Sequence, residues 1–155
     1  LFRSNAPDYF ETATAAIAEM VRQVGEPVFA APDGTQLFAA QMNDACEEAD
    51  EDAEFLMKKG VIVRHLALPG QEADSKRVLS YLLKTYGERI YISLMNQYTP
   101  MPAMKDDPQL SRKVTDREYE RLIDYAISLG LKNGFMQEGE TAKESFIPEF
   151  DGEGV

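Results

Sequence analysis

The sequence predicts an α/β fold: a short parallel sheet with flanking helices. Two apolar runs, residues 61–68 and 90–95, have the length and β-branched content of strands. A helical pattern lies between them, so the three pieces form a β-α-β unit, the connection that parallel strands require. The runs end in Pro69-Gly70 and in Asn96-Gln97-Tyr98. In parallel sheets, ligands gather beyond such carboxyl ends.

The elements follow in order. Asp8 is placed to cap a first helix, in which Phe10, Ala13, Ile17, Met20, Val21 and Val24 recur at helical spacing. Gly25 and Pro27 stop it. Pro32-Asp33-Gly34-Thr35 is a turn signal between Val28-Phe29-Ala30 and Leu37-Phe38-Ala39, which predicts a small hairpin. Residues 43–54 are rich in acids (Asp44, Glu47, Glu48, Asp50, Glu51, Asp52, Glu54) and hold no Lys or Arg, so a solvated tract is expected, either helical, with Phe55-Leu56-Met57 anchoring its end, or mobile.

Residues 61–68 are apolar at both parities, as in a strand covered on both sides. Asp74 or Ser75 then starts a helix with Val78, Leu79, Leu82, Leu83 and Tyr86 inward, and Gly87 ends it. Residues 90–95 are the second strand. Residues 99–113 form a loop with Pro100, Pro102 and Pro108, longer than the usual 2–6 residues of such connections. Thr115-Asp-Arg-Glu118 is a capping box. It opens a helix carrying Tyr119, Leu122, Ile123, Ala126, Ile127 and Leu129, which stops at Gly130. Phe135-Met136-Gln137 is a short third strand, and residues 138–155 are a polar tail.

Composition sets bounds. A chain of 155 residues fits one domain with a modest core. The net charge of −11 argues against nucleic acid, whose phosphates need a basic face. No apolar run approaches the roughly 20 residues of a membrane span. The first residues lack a leader pattern, and the absence of an initial methionine is compatible with a fragment. The single cysteine, Cys46, excludes an internal disulfide and a self-contained cysteine metal cluster, and it favours the cytoplasm. The acidic tract lacks the spacing and mid-loop glycine of a calcium loop.

Strand alternation puts Ile62, Arg64, Leu66 and Leu68 on one face, and Val61, Val63, His65 and Ala67 on the other. An arginine inside an apolar strand either lines a site for a carboxylate or phosphate, or forms a structural ion pair. His65, the sole histidine, reads better as a satisfied core residue than as a base. Asn96, Gln97 and Tyr98 end the second strand, and Gln137 and Glu138 the third. Each alone is ordinary strand-end polarity; together they mark a candidate site.

Four segments resemble one family. They are Arg64-His-Leu-Ala-Leu-Pro-Gly70, Ser93-Leu-Met-Asn-Gln-Tyr-Thr-Pro100, Gly134-Phe-Met-Gln and Phe146-Ile-Pro-Glu-Phe-Asp-Gly152. Together they look like radical S-adenosylmethionine proteins, in the subgroup related to pyruvate formate-lyase activating enzyme. Ser4-Asn-Ala-Pro-Asp-Tyr-Phe10 and Arg22-Gln-Val-Gly-Glu-Pro-Val28 are similar too. The resemblance spans residues 1–155 as a single domain, except for residues 30–54, which look like an acidic insertion.

The resemblance implies the C-terminal half of a partial (β/α)6 barrel. The family holds a four-iron four-sulfur cluster on a Cys-x-x-x-Cys-x-x-Cys loop, which is not in this sequence. Its members cleave S-adenosylmethionine reductively to a 5′-deoxyadenosyl radical. In activating enzymes the radical's target is a glycine of a glycyl-radical enzyme partner. By position, Arg64 matches an arginine bordering the cofactor and Leu66 an apolar residue near the adenine. Leu94 and Gln97 match the sixth-strand end that contacts adenosine, although activating enzymes have histidine at the place of Gln97. His65 matches a tyrosine.

This portion alone is expected to be inactive and to bind neither cofactor. Two other functions are open: an acidic adaptor that docks a basic partner through residues 44–54, and a hydrolase or isomerase pairing His65 with Glu138. The strand of residues 61–68 is expected to present a bare edge, and so to dimerise or be covered by the hairpin.

Overall fold

The computed structural model describes residues 7–48 and 53–137. Helix α1 (Tyr9–Val24) leads into strand β1 (Val28–Ala30), strand β2 (Gln36–Phe38) and helix α2 (Ala39–Glu48). Strands β3 (Leu56–Lys59) and β4 (Ile62–Leu66), helix α3 (Glu72–Tyr86) and strand β5 (Tyr91–Met95) follow. Helix α4 (Asp116–Ser128) and strand β6 (Gly134–Met136) complete the order.

Two three-stranded sheets form. One is antiparallel, in the order β2-β1-β3; the other is parallel, in the order β4-β5-β6. The fold is thus mixed α/β with a short parallel sheet flanked by helices, and these strands close no barrel. Among the described residues, no helix is long and apolar enough to cross a membrane.

The core lies between the parallel sheet and its helices. Ile90, Ile92 and Leu94 pack with Leu79, Leu82 and Tyr86 of α3 and with Tyr119, Leu122 and Ala126 of α4. Burying a side chain of this size stabilises by about 1.5–3 kcal/mol. Helix α1 adds Val21, with Ile17 and Val24 against the same cluster, while Met20 stays 45% exposed.

The capping box of α4 is complete. Thr115 Oγ1 accepts from the Glu118 amide, and Glu118 Oε2 accepts from the Thr115 amide at 3.0 Å. The α1 stop also forms, with Gly25 at φ 77°.

Several expectations are corrected. Among the described residues, strand β4 is covered on one side, not both: Ile62 is 45% and Leu66 39% exposed, because no described element lies over that face at those positions. Helix α3 begins at Glu72 rather than at Asp74 or Ser75. Asp8 stands at the start of α1 but its side chain makes no capping hydrogen bond.

Leu56-Met57 belongs to a strand, β3, paired antiparallel with β1, not to the end of the acidic tract. The hairpin does not cover the free edge of β4. It joins β3 in its own sheet and touches the parallel sheet through Phe29, whose ring lies 5.3 Å from that of Tyr91.

Candidate functional site

The register of the parallel sheet builds one half-open face. Ile62 pairs with Tyr91, Arg64 with Ser93 and Leu66 with Met95; Ser93 in turn pairs with Phe135. Partners across a parallel ladder share a face, so these side chains lie on the side away from α3 and α4. Ile62, Leu66 and Phe135 are 45%, 39% and 48% exposed. Tyr91 is buried where Phe29 and Phe135 flank its ring.

Arg64 stands among them, exposed, with no hydrogen bond or ion pair among the described residues. Of its two readings, the structural ion pair finds no partner there. A guanidinium on an apolar face suits a ligand with an anionic group and a flat apolar body.

The other expected site residues fall as follows. Leu66 is on this face, one alternation beyond Arg64. Leu94 is on the opposite face, fully buried among the helices, so its side chain cannot meet Arg64 or Leu66. Its carbonyl accepts from the Tyr119 hydroxyl at 2.8 Å. Gln97 is half-buried, two residues past β5.

His65 is half-buried on the helix side with Val63. Burial pushes its pKa down, partly offset by the charge of Asp74. Its Nε2 is buried without a hydrogen-bond partner among the described residues, so it is not the satisfied core histidine that was expected. Glu138, the acid suggested for it, lies outside the described residues, as do Asp50, Glu51, Asp52, Ser4 and residues 146–152.

Polar links tie the carboxyl edge together. Gln137 Oε1 accepts from the Asn96 amide at 3.0 Å, joining the ends of β5 and β6. The Tyr119 hydroxyl donates to Leu94 and accepts from the Gln137 amide at 3.0 Å, so α4 pins both strands. Glu118 accepts from the Gly70 amide at 2.9 Å and from Arg112 at 2.7 and 2.8 Å. Arg112, first among several donors, holds the Glu118 carboxyl far below its ordinary pKa.

Gly70 has φ 72°, and a Cβ there would stand 2.8 Å from Gln109 Cδ, so both conformation and space favour glycine. Gln71 donates to Gln109 at 2.6 Å, and the Tyr98 hydroxyl to the Leu110 carbonyl at 2.8 Å. The loop of residues 99–113 is thereby bound to the β4–α3 turn.

Sequence reasoning missed Ser93, Met95 and Phe135 as neighbours of Arg64, and Tyr119 and Glu118 as ties of the edge. Strand parity with the β4–β5 register would have found Ser93 and Met95, and the β5–β6 register Phe135. Nothing local in the sequence announces the Glu118–Gly70 contact, which spans 48 residues.

Among the described residues, no group of three or more His, Cys, Asp or Glu is placed to hold a metal ion. Cys46 is exposed on α2, outside the parallel sheet. Comparison with protein-family models, characterised proteins and solved structures finds no match to this chain.

Proposed function

We propose that this chain is the C-terminal portion of a radical S-adenosylmethionine enzyme resembling pyruvate formate-lyase activating enzyme. It supplies one wall of a partial (β/α)6 barrel, with residues 30–54 inserted in it. One observation carries the reading: the parallel sheet is sealed by helices on one face, while the other is half-open, apolar and bears Arg64 without a partner among the described residues. In a barrel such a face lines the interior. The edge of β4, which has no partner strand among the described residues, suits a wall that continues into a further strand.

Arg64 would take the anionic part of S-adenosylmethionine, and Leu66 and Ile62 its apolar surface. Leu94 would contribute through backbone, and Gln97 from the strand end. The iron-sulfur cluster does not fit this chain, because such clusters need several thiolates and there is one cysteine. The cluster and the radical chemistry therefore belong to a longer, cytoplasmic protein, whose proposed partner is a glycyl-radical enzyme.

The test is the longer protein. With an upstream Cys-x-x-x-Cys-x-x-Cys, anaerobic reconstitution should yield 5′-deoxyadenosine from S-adenosylmethionine. Arg64→Ala should weaken cofactor binding about tenfold, the worth of one charge-assisted hydrogen bond. The present chain alone should give neither cluster absorbance nor product. Turnover from it alone, or an upstream frame without the cysteines, refutes the reading.

A second reading draws on the exposed Asp44, Glu47 and Glu48 of α2: an acidic adaptor for a basic partner. Neutralising these three should abolish partner capture under that reading and leave it unchanged under the first.

A further inference from the structure

The sole histidine of the chain sits where an imidazole is hard to charge. His65 lies inside β4 on the parity that faces the helices, opposite Leu94 of β5. Its Nε2 is cut off from solvent and meets no hydrogen-bond partner among the described residues. We propose that His65 is an acid-sensitive latch. Neutral, it lets β4 lie on the helical layer; protonated, it drives β4 off that layer and takes the Arg64 face with it. The inference goes beyond the radical-enzyme reading and does not depend on it.

The chemistry of the ring is the first support. A neutral imidazole with one buried nitrogen unmatched already forgoes a hydrogen bond. A proton added to the ring makes that nitrogen a cationic donor with no acceptor. The surrounding elements offer little remedy. Strand β5 brings Leu94 across the ladder, and none of its residues is charged. Helix α4 turns Tyr119, Leu122 and Ala126 to the core, and its Glu118 carboxylate is held by Arg112 and Gly70. Helix α3 supplies Asp74, the charge whose field reaches the ring. Asp74 is 54% exposed and shared with Arg77 at 2.9 Å, so its attraction is screened. Arg64, the adjacent cation, belongs to the opposite face. Burial therefore outweighs Asp74, and the ring keeps its neutral form to lower pH than a free histidine.

The topology is the second support, because it confines the response. Among the described residues, β4 pairs with β5 alone. That ladder runs from the Tyr91 amide on the Val61 carbonyl, at 2.9 Å, to the Ala67 amide on the Met95 carbonyl, at 2.8 Å. A strand held on one side opens more readily than the core around Leu79, Leu82 and Ile92.

The sign follows from linkage. The released strand takes up a proton near the ordinary value of 6.5, and the docked strand does so only at lower pH. The latch is thus closed above 6.5 and loosens as pH falls below it. Glu19, Glu72 and Glu118 are held below their ordinary 4.5, so they stay charged through this window and leave it to His65.

The experiment uses the full isotope-labelled chain, in which one histidine gives one set of imidazole signals. The midpoint of His65 should lie below that of an unstructured histidine peptide. Corrected for intrinsic exchange, the Ala67 amide should open up to about tenfold faster per pH unit from 6.5 toward about pH 5, the limit for one linked proton. The Leu82 amide should keep its rate. In His65→Gln and in His65→Leu the pH dependence at Ala67 should vanish, with Leu82 reporting that the fold is intact. Asp74→Asn, at an exposed position, should lower the midpoint, because it removes the charge that favours protonation. A midpoint at or above the peptide's, or one that Asp74→Asn leaves in place, overturns the proposal. So does an Ala67 amide that has not quickened by about pH 5, that quickens only in step with Leu82, or that still quickens in both His65 variants.

Discussion

The two faces of the β4-β5-β6 sheet are made by alternate residues of the same strands and meet opposite fates. On one, Ile92 and Leu94 are wholly excluded from water by α3 and α4. On the other, Ile62, Leu66 and Phe135 keep 39–48% of their surface. Apolar character is similar on both, so it does not decide burial; the presence of a covering layer does. The sealed face should set the stability of the domain, and the open face should be nearly free of that duty and available to a ligand.

Substitutions can break or sharpen this contrast. The largest effect is expected on the sealed face: Leu79→Ala should cost about 2 to 5 kcal/mol in urea unfolding, through lost transfer energy and a cavity. If it costs less than Leu66→Ser, the contrast is wrong.

Next comes the seam between the faces. Tyr119→Phe leaves the Leu94 carbonyl and the Gln137 amide without their hydroxyl, at a cost of about 1 to 3 kcal/mol. Hydrogen exchange at Gln137 should accelerate more than exchange in α3.

Glu118→Gln should cost about 1 kcal/mol at neutral pH, because glutamine keeps part of the capping box but loses the charge facing Arg112. The sign with pH is fixed by the depressed pKa. The stabilisation is full above the ordinary value of 4.5 and is lost as pH falls below it toward the folded-state value. Acid titration of stability should therefore be shallower in Glu118→Gln; an unchanged slope would remove Glu118 from the account.

The smallest effect belongs to the open face. Leu66→Ser should change stability by less than about 0.5 kcal/mol, as surface substitutions do.

How far the sequence revealed this can be read element by element. The β4-α3-β5 unit was legible because its periodicities are local and its helix ends at Gly87. The α4 start was legible because a capping box is written within four residues. Strand β3 was not: Leu56-Met57-Lys58-Lys59 carries two lysines and is a strand by virtue of its pairing with β1, a distant partner. The half-covered state of β4 was not legible either, since alternation tells which residues share a face but not what lies above it. Of the candidate site, Arg64 and Leu66 share the open face as their spacing requires. The placement of Leu94 among the helices follows from its partnership with His65 rather than with Arg64, a register that one strand cannot disclose.

The ties around Gly70 bear on traffic into the site. Gln109 fills the space that a side chain at Gly70 would need, Gln71 grips Gln109, and Glu118 holds Gly70 and Arg112 at once. The turn and the long loop are therefore one rigid rim, not two independent flaps. A molecule bound at Arg64 would therefore pass a fixed rim at the carboxyl end of the sheet rather than a hinged gate.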